Sequence, residues 1–255
     1  MERSILLVFA HPDDESFGAG GTACRYSGQG IPVDLITATR GEKGARVDVP
    51  DGVDTGVARE AELKEAASIM GIRGLYILGF PDGGLADIPA AKVIERVAGL
   101  MRTLGPAVVI TFGPDGITGH PDHVAIGQAA TAAYCEVSAA TGGPQKLYWS
   151  TLPEGRAKEA GWEVATRPDD EVTTVIDVSA CVDRKRRAIA AHRSQPDARD
   201  FLLSFEDGSA TEADRELLAH EYFYLVNGPA GLKEADLFQP ASARTAGKGG
   251  ARERV

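Results

Sequence analysis

Cysteine is scarce in this chain. Only three occur in 255 residues, at Cys24, Cys135 and Cys181, and no two form a CxxC pair. That excludes a disulfide framework and a thiolate zinc site, and points to a reducing, cytoplasmic setting. Long apolar runs are also missing. None reaches the roughly 18 residues that would cross a bilayer, and the opening "MERSILLVFA" lacks the pattern of a cleaved signal peptide. Positive charge is in deficit: 27 Lys and Arg against 37 Asp and Glu leave a formal net charge of -10. Binding to nucleic acid is therefore not expected. The densest basic run, Asp183–Arg193, reads as a solvated helix face.

What is present is a hydrophobic content of 43%, enough for one α/β domain with a sizeable core. Apolar runs of strand length recur at Ile5–Ala10, Val33–Thr39, Leu75–Leu78, Val108–Phe112 and Lys146–Ser150. Helical patterns lie between them, at Gly56–Gly71, Ile88–Gly105 and His120–Ala140. In the first of these, Ala58, Ala61, Leu63, Ala66, Ile69 and Met70 are expected mostly on one face, with Gly71 as the C-cap. The alternation predicts a Rossmann-like three-layer sandwich, a mostly parallel sheet with helices on both faces. Beyond Ser150 the rhythm weakens. A strand is expected in Glu171–Ser179, a helix over Ala180–His192, and a helix running into a last strand over Thr211–Val226. The domain is drawn at 1–227, with 228–255 as a loosely held tail rich in Gly, Ala and charge.

Two strand ends carry the same letters. "AHPDDESFGAGG" follows the first strand, and "GPDGITGHPDH" follows the fourth. Ligands of open α/β sheets bind beyond the carboxyl ends of the strands. Arg40 and Glu42 in "TATRGEKG" and Asp82 in "GFPDGG" fall on the same rim. Adjacent carboxylates repel, and burying them is costly unless a cation sits among them. Catalytic zinc takes three protein ligands and keeps one open position. His11, Asp14 and His123 supply such a set, two imidazoles and a carboxylate, for one ion per chain. Iron or cobalt would fit the same donors. Asp13, beside the ligands, is then the general base for a metal-activated water. His120, one turn before His123, can stabilise an oxyanion or protonate a leaving amine. Asp122 orients one of the histidines. Glu15 and Ser16 suit the helix N-terminus.

These stretches, with "AAHRSQ" at Ala190–Gln195, resemble the PIG-L/LmbE-like family of zinc-dependent deacetylases of N-acetylglucosamine compounds. The resemblance runs from Ser4 to Gln195. It implies the Rossmann-like sheet, zinc on His11, Asp14 and His123, Asp13 as base and His120 as electrostatic or acid group. It also implies substrate contacts from Arg40, Asp82 and His192. The substrate implied is a small N-acetylated amino sugar, such as a glycoside precursor of a low-molecular-weight thiol. Members are often oligomeric, which leaves a homo-oligomer open. Some sugar deacetylases of the family carry tyrosine where this chain has Thr118, which either leaves His120 to act alone or marks a different substrate.

Other readings stand beside it. "GAGGTA" at Gly18–Ala23 contains a dinucleotide-type glycine pattern, but three carboxylates face it and no acidic residue ends the second strand. Its glycines are better explained by close packing of the first helix on the sheet. A hydratase of an unsaturated acid is a nearer alternative on the same fold, as is an amidase of a thiol–sugar conjugate. A binding module without catalysis would have no use for the free carboxylate of Asp13. Asp82 also fits a plain β-turn, and His220 reads as a packed or surface histidine.

Overall fold

The computed structural model describes residues 2–226 and 232–239. Near-continuous apolar runs become strands covered on both faces. All five residues of β1 (Ile5–Phe9), β2 (Val33–Thr37) and β4 (Val108–Phe112) are buried. This is the burial that a parallel sheet between two helical layers requires. β3 (Gly74–Ile77), β5 (Lys146–Thr151), β6 (Thr174–Asp177) and β7 (His220–Leu225) complete a seven-stranded sheet of order β3-β2-β1-β4-β5-β7-β6. β3, β2, β1, β4 and β5 run parallel, and β7 is antiparallel to both β5 and β6.

The chain leaves β1 through α1 (Asp14–Gly18) and α2 (Gly20–Gly28), and builds outward through β2, α3 (Thr55–Met70) and β3. It then returns along α4 (Ala90–Leu104) to place β4 on the other side of β1, and continues through α5 (Pro121–Thr141) to β5. The direction of winding reverses between β1 and β4. A crevice opens beyond the carboxyl ends of these two strands, and both His-Pro-Asp segments lie there.

Local chemistry sets the helix ends. Asp54 caps α3, its side chain accepting from the Val57 N–H, and Gly71 ends the helix at φ 76°. Pro121 occupies the first turn of α5. Gly21 has a packing reason to lack a side chain, since a Cβ there would meet Val178 Cγ2 at 2.5 Å. That is the close approach expected of the first glycine-rich helix.

Three corrections follow. The buried stripe of α3 carries Arg59 and Glu62 beside Leu63, Ala66 and Met70, while Ala61 faces solvent. α6 (Glu154–Ala160) and α8 (Pro196–Glu206) lie in segments with no expected element; α7 (Val182–Ala191) and α9 (Glu212–Ala219) fall where helices are expected. Part of the expected loose tail is also packed. Leu237 is fully buried, and Glu234 accepts from Lys146 Nζ at 2.6 Å and from the Tyr148 hydroxyl at 2.7 Å. Residues 228–231 and 240–255 of that expected tail lie outside the described residues. Among the described residues, no helix is long and apolar enough to cross a membrane.

Candidate metal and catalytic site

Leaving β1, the chain turns back on itself around Asp14. Its Oδ2 accepts the backbone N–H groups of Ala10 at 3.1 Å and His11 at 2.8 Å. The other oxygen, Oδ1, lies 3.2 Å from His123 Nε2. His11 Nδ1 is 3.2 Å from the same His123 nitrogen and 3.6 Å from Asp14 Oδ2. Donor atoms from the loop after β1, from α1 and from α5 thus gather around His123 Nε2. Tetrahedral zinc with ligands at about 2.0–2.1 Å has ligand–ligand edges of about 3.3–3.4 Å. The two edges that meet at His123 Nε2, each 3.2 Å, fit that size, while the 3.6 Å contact of His11 runs to the other Asp14 oxygen.

The other ring nitrogens support this assignment. His11 Nε2 lies 3.2 Å from Asp82 Oδ1 and 3.2 Å from Asp122 Oδ2, so the ring proton belongs on Nε2 and Nδ1 keeps its lone pair. His123 Nδ1 lies 3.0 Å from the Gly116 carbonyl and 3.2 Å from the Thr118 hydroxyl, which leaves Nε2 as the free donor. Two neighbouring sets, His11 with His120 and His123, and His11 with Asp82 and Asp122, also bring ligand atoms within reach of one another. The first uses a histidine that serves as a helix cap. The second uses the carboxylates that hold His11 from behind.

The field at this site asks for a cation. Burial works against a charged His11, yet Asp82, Asp14 and Asp122 outweigh it and lift its pKa to about 9. Burial likewise opposes the Asp14 charge, but His123 and His11 hold the carboxyl well below the usual carboxylate range. Asp82 is held down at about 2, against its burial, by His11 and the Lys43 N–H. A surplus of carboxylates that draws protons onto the ring nitrogens is what a divalent ion would neutralise in their place.

Asp13 sits beside these donors in a backbone conformation rare outside glycine, φ 117° and ψ −34°. Its N–H donates to Glu15 Oε2 at 3.0 Å, and its Oδ2 accepts from Arg59 Nη2 at 3.0 Å. Burial raises its pKa to about 6, with Arg59 opposing and Asp14 adding to the rise. A carboxylate so placed is poised to exchange a proton near neutrality. His120 is the exposed member of the cluster. Its Nδ1 accepts the Asp122 N–H at 3.1 Å as the cap of α5, so the ring proton sits on Nε2. Burial and the neighbouring His11 and His123 push its pKa down. That direction favours the neutral ring, with its hydrogen on Nε2.

The expected substrate contacts fare differently. Asp82 joins the cluster, but both its oxygens are engaged, one toward His11 and one by the Lys43 N–H at 2.7 Å. Arg40 has its Nε held by Glu60 on α3 at 2.9 Å, with the side chain partly exposed. His192 is 1% exposed and lies behind Asp13, its Nε2 2.9 Å from Glu15 Oε1. It cannot face a ligand from there. Arg59 is the residue the sequence reading missed. The available signal was a charged pair, Arg59 and Glu62, in register with the apolar stripe of α3.

The family model for PIG-L, GlcNAc-PI de-N-acetylase, matches residues 6–134, just over half of the chain. The matched segment contains every residue of the donor set, together with Asp13 and His120. The chain belongs to the PIG-L family. Among curated PIG-L relatives it is 36% identical over 285 residues to a 1D-myo-inositol 2-acetamido-2-deoxy-alpha-D-glucopyranoside deacetylase of Rhodococcus jostii, covering 92% of this chain and 95% of that protein. Among solved structures, the conserved protein TT1542 from Thermus thermophilus superposes with a TM-score of 0.63 at 26% identity, covering 94% of this chain and 99% of that one. The 4-carboxy-2-hydroxymuconate hydratase GalB of Pseudomonas putida superposes with a TM-score of 0.67 at 20% identity, covering 88% and 96%. That last likeness is one of fold alone. The PIG-L fold therefore does not by itself separate a deacetylase from a hydratase.

Proposed function

We propose that this chain is a zinc-dependent N-deacetylase that removes the acetyl group from a small N-acetylglucosamine glycoside, with the 1D-myo-inositol glycoside as the first substrate to try. The observation that carries the reading is the placing of His11 Nδ1 and Asp14 Oδ1 each 3.2 Å from His123 Nε2, a spacing that suits zinc ligands, with the carboxylate of Asp13 adjoining. The inositol glycoside is favoured by the relatives' named activity over nearly the whole chain.

His11, Asp14 and His123 would hold the ion, which when bound polarises the amide carbonyl and lowers the pKa of a water. Asp13 takes a proton from the water that attacks the acetamide carbon. His120 donates its Nε2 hydrogen to the developing oxyanion, with no net charge of its own. Asp13 then returns the proton to the departing nitrogen, and acetate and a free amine result. Asp82 and Asp122 keep the His11 ring in register throughout. Thr118, where some relatives carry tyrosine, has its hydroxyl turned to His123 and serves that ring's tautomer, leaving His120 as the donor.

The test is acetate release from the inositol glycoside and from N,N'-diacetylchitobiose, using metal-stripped protein with and without zinc. Zinc-restored release from the inositol glycoside, faster than from the disaccharide, is expected. No release from either, with zinc shown to be bound, overturns the reading.

A further inference from the structure

The two edges of the sheet end differently. At the β6 edge the chain covers itself. The Glu234 N–H donates to the Thr173 carbonyl at 2.8 Å, and the Val175 N–H donates to the Glu234 carbonyl at 3.0 Å, so the 232–239 segment closes that edge. At the other edge β3 pairs with β2, and among the described residues no strand pairs with its outer side. An open edge is a template for a further strand, and folded proteins commonly blunt it with Lys or Pro. β3 reads Gly-Leu-Tyr-Ile and carries neither.

A groove of about 770 Å³ runs along this edge, between β3 and α4. Half-buried Leu75, Ile77 and Leu100 give it apolar walls, and exposed Glu95 and Arg102 line it from α4. An apolar surface rimmed by charge marks an interaction site.

Three features of α4 fit this surface to its own copy. Gly99 lines the groove in the middle of the helix, where glycine weakens helical structure. Packing within the chain does not call for it, since no neighbouring group lies within 4 Å of where its Cβ would stand. Glu95 and Arg102 lie seven residues apart, two turns along one face, with Gly99 between them in the same stripe. Two copies of α4 crossing antiparallel at Gly99 therefore set Glu95 against the partner's Arg102, and Arg102 against the partner's Glu95. Arg102 already meets Glu136 at 2.9 Å, but that pair is exposed and such contacts are weak. The same two-fold axis, perpendicular to the sheet, runs β3 antiparallel to its copy and keeps both α4 helices on one face. A surface of this kind is self-complementary, as a two-fold interface must be.

We infer that β3 and α4 form a two-fold interface between two copies of this chain, centred on Gly99, which joins their sheets edge to edge. It lies apart from the donor set, so each copy keeps a complete site.

Sedimentation velocity of the zinc-loaded full chain, across a wide range of protein concentration, tests it. Wild type should form an assembly of an even number of chains. Gly99→Arg should halve that assembly, with zinc content and turnover unchanged, because the new side chain enters open space in a single chain and improves the helix. Glu95→Arg or Arg102→Glu alone should raise the Kd of the pair about tenfold, since symmetry counts each lost contact twice. The two reversals together should restore it. A wild type that stays monomeric throughout overturns the proposal. So does an assembly that Gly99→Arg leaves intact, or a double reversal that restores nothing. If Gly99→Arg does not fold, the charge reversals decide the question alone.

Discussion

Asp122 Oδ2 lies 3.2 Å from His11 Nε2 while also accepting the Gly83 N–H at 2.7 Å, and its Oδ1 accepts the Leu85 N–H at 2.9 Å. One fully buried carboxylate therefore ties α5 to the loop after β3 and sets the proton of a metal-facing imidazole. Loss of such a partner typically weakens metal binding about 10- to 100-fold. Asp122→Asn should fall in that range, because the amide keeps the size but cannot supply the charge behind His11. Competition against a chelator of known zinc affinity measures it. An unchanged zinc Kd would show that Asp122 only braces the backbone.

Asp13 contributes no atom to the donor set, and this separates its loss from loss of the metal. Asp13→Ala should retain the zinc stoichiometry of wild type and lose activity by about 10²- to 10⁴-fold, the usual weight of a general base. Asp13→Asn is the gentler companion, since asparagine tolerates positive φ better than alanine. Zinc content by metal analysis and acetate release are read on the same samples. Parallel loss of zinc and activity in both variants would make Asp13 a ligand.

The donor set was legible in the sequence because each half of it is local. His11 and Asp14 are three residues apart at one strand end, and His120 to His123 span one turn at another. The topology needed only to bring the ends of β1 and β4 together, and strand–helix alternation predicts that adjacency. What was misjudged depends on partners distant in sequence. Arg40 has its Nε held by Glu60, 20 residues on, a pairing that no local pattern shows. Arg59 went unremarked, because its carboxylate partner lies 46 residues away. The 232–239 segment looked loose because no local pattern reveals that Glu234 meets Lys146, 88 residues earlier.

His192 provides a direct contrast between a substrate contact and a buried support. Its ring is nearly inaccessible and faces Glu15, whose carboxylate is wholly buried. His192→Ala should leave KM within a few-fold of wild type. It should lower stability by about 1–3 kcal/mol, the cost of leaving a buried acceptor short of a partner. Urea denaturation of the zinc-loaded protein measures the second effect, and a steep rise in KM at unchanged stability would restore the substrate role.

Tyr26 gives a test of the docked 232–239 segment that is independent of catalysis. Its hydroxyl accepts the Leu237 N–H at 2.8 Å, and burial raises its pKa to about 12 from an ordinary value of 10. The folded state therefore favours the neutral phenol. Its contribution to stability is complete below pH 10 and falls as pH rises from 10 to 12, where the unfolded chain ionises and the folded chain does not. A shift of this size corresponds to about 2–3 kcal/mol. Tyr26→Phe should cost about 1–2 kcal/mol at pH 8 through the orphaned Leu237 N–H. It should also flatten the stability loss between pH 10 and 12, because the titrating group is gone. Urea midpoints of wild type and variant at pH 8 and pH 11.5 separate the two effects. Equal loss in both proteins over that interval would assign the alkaline limb to another group, with Tyr148, raised further still by burial and Glu234, as the next to replace.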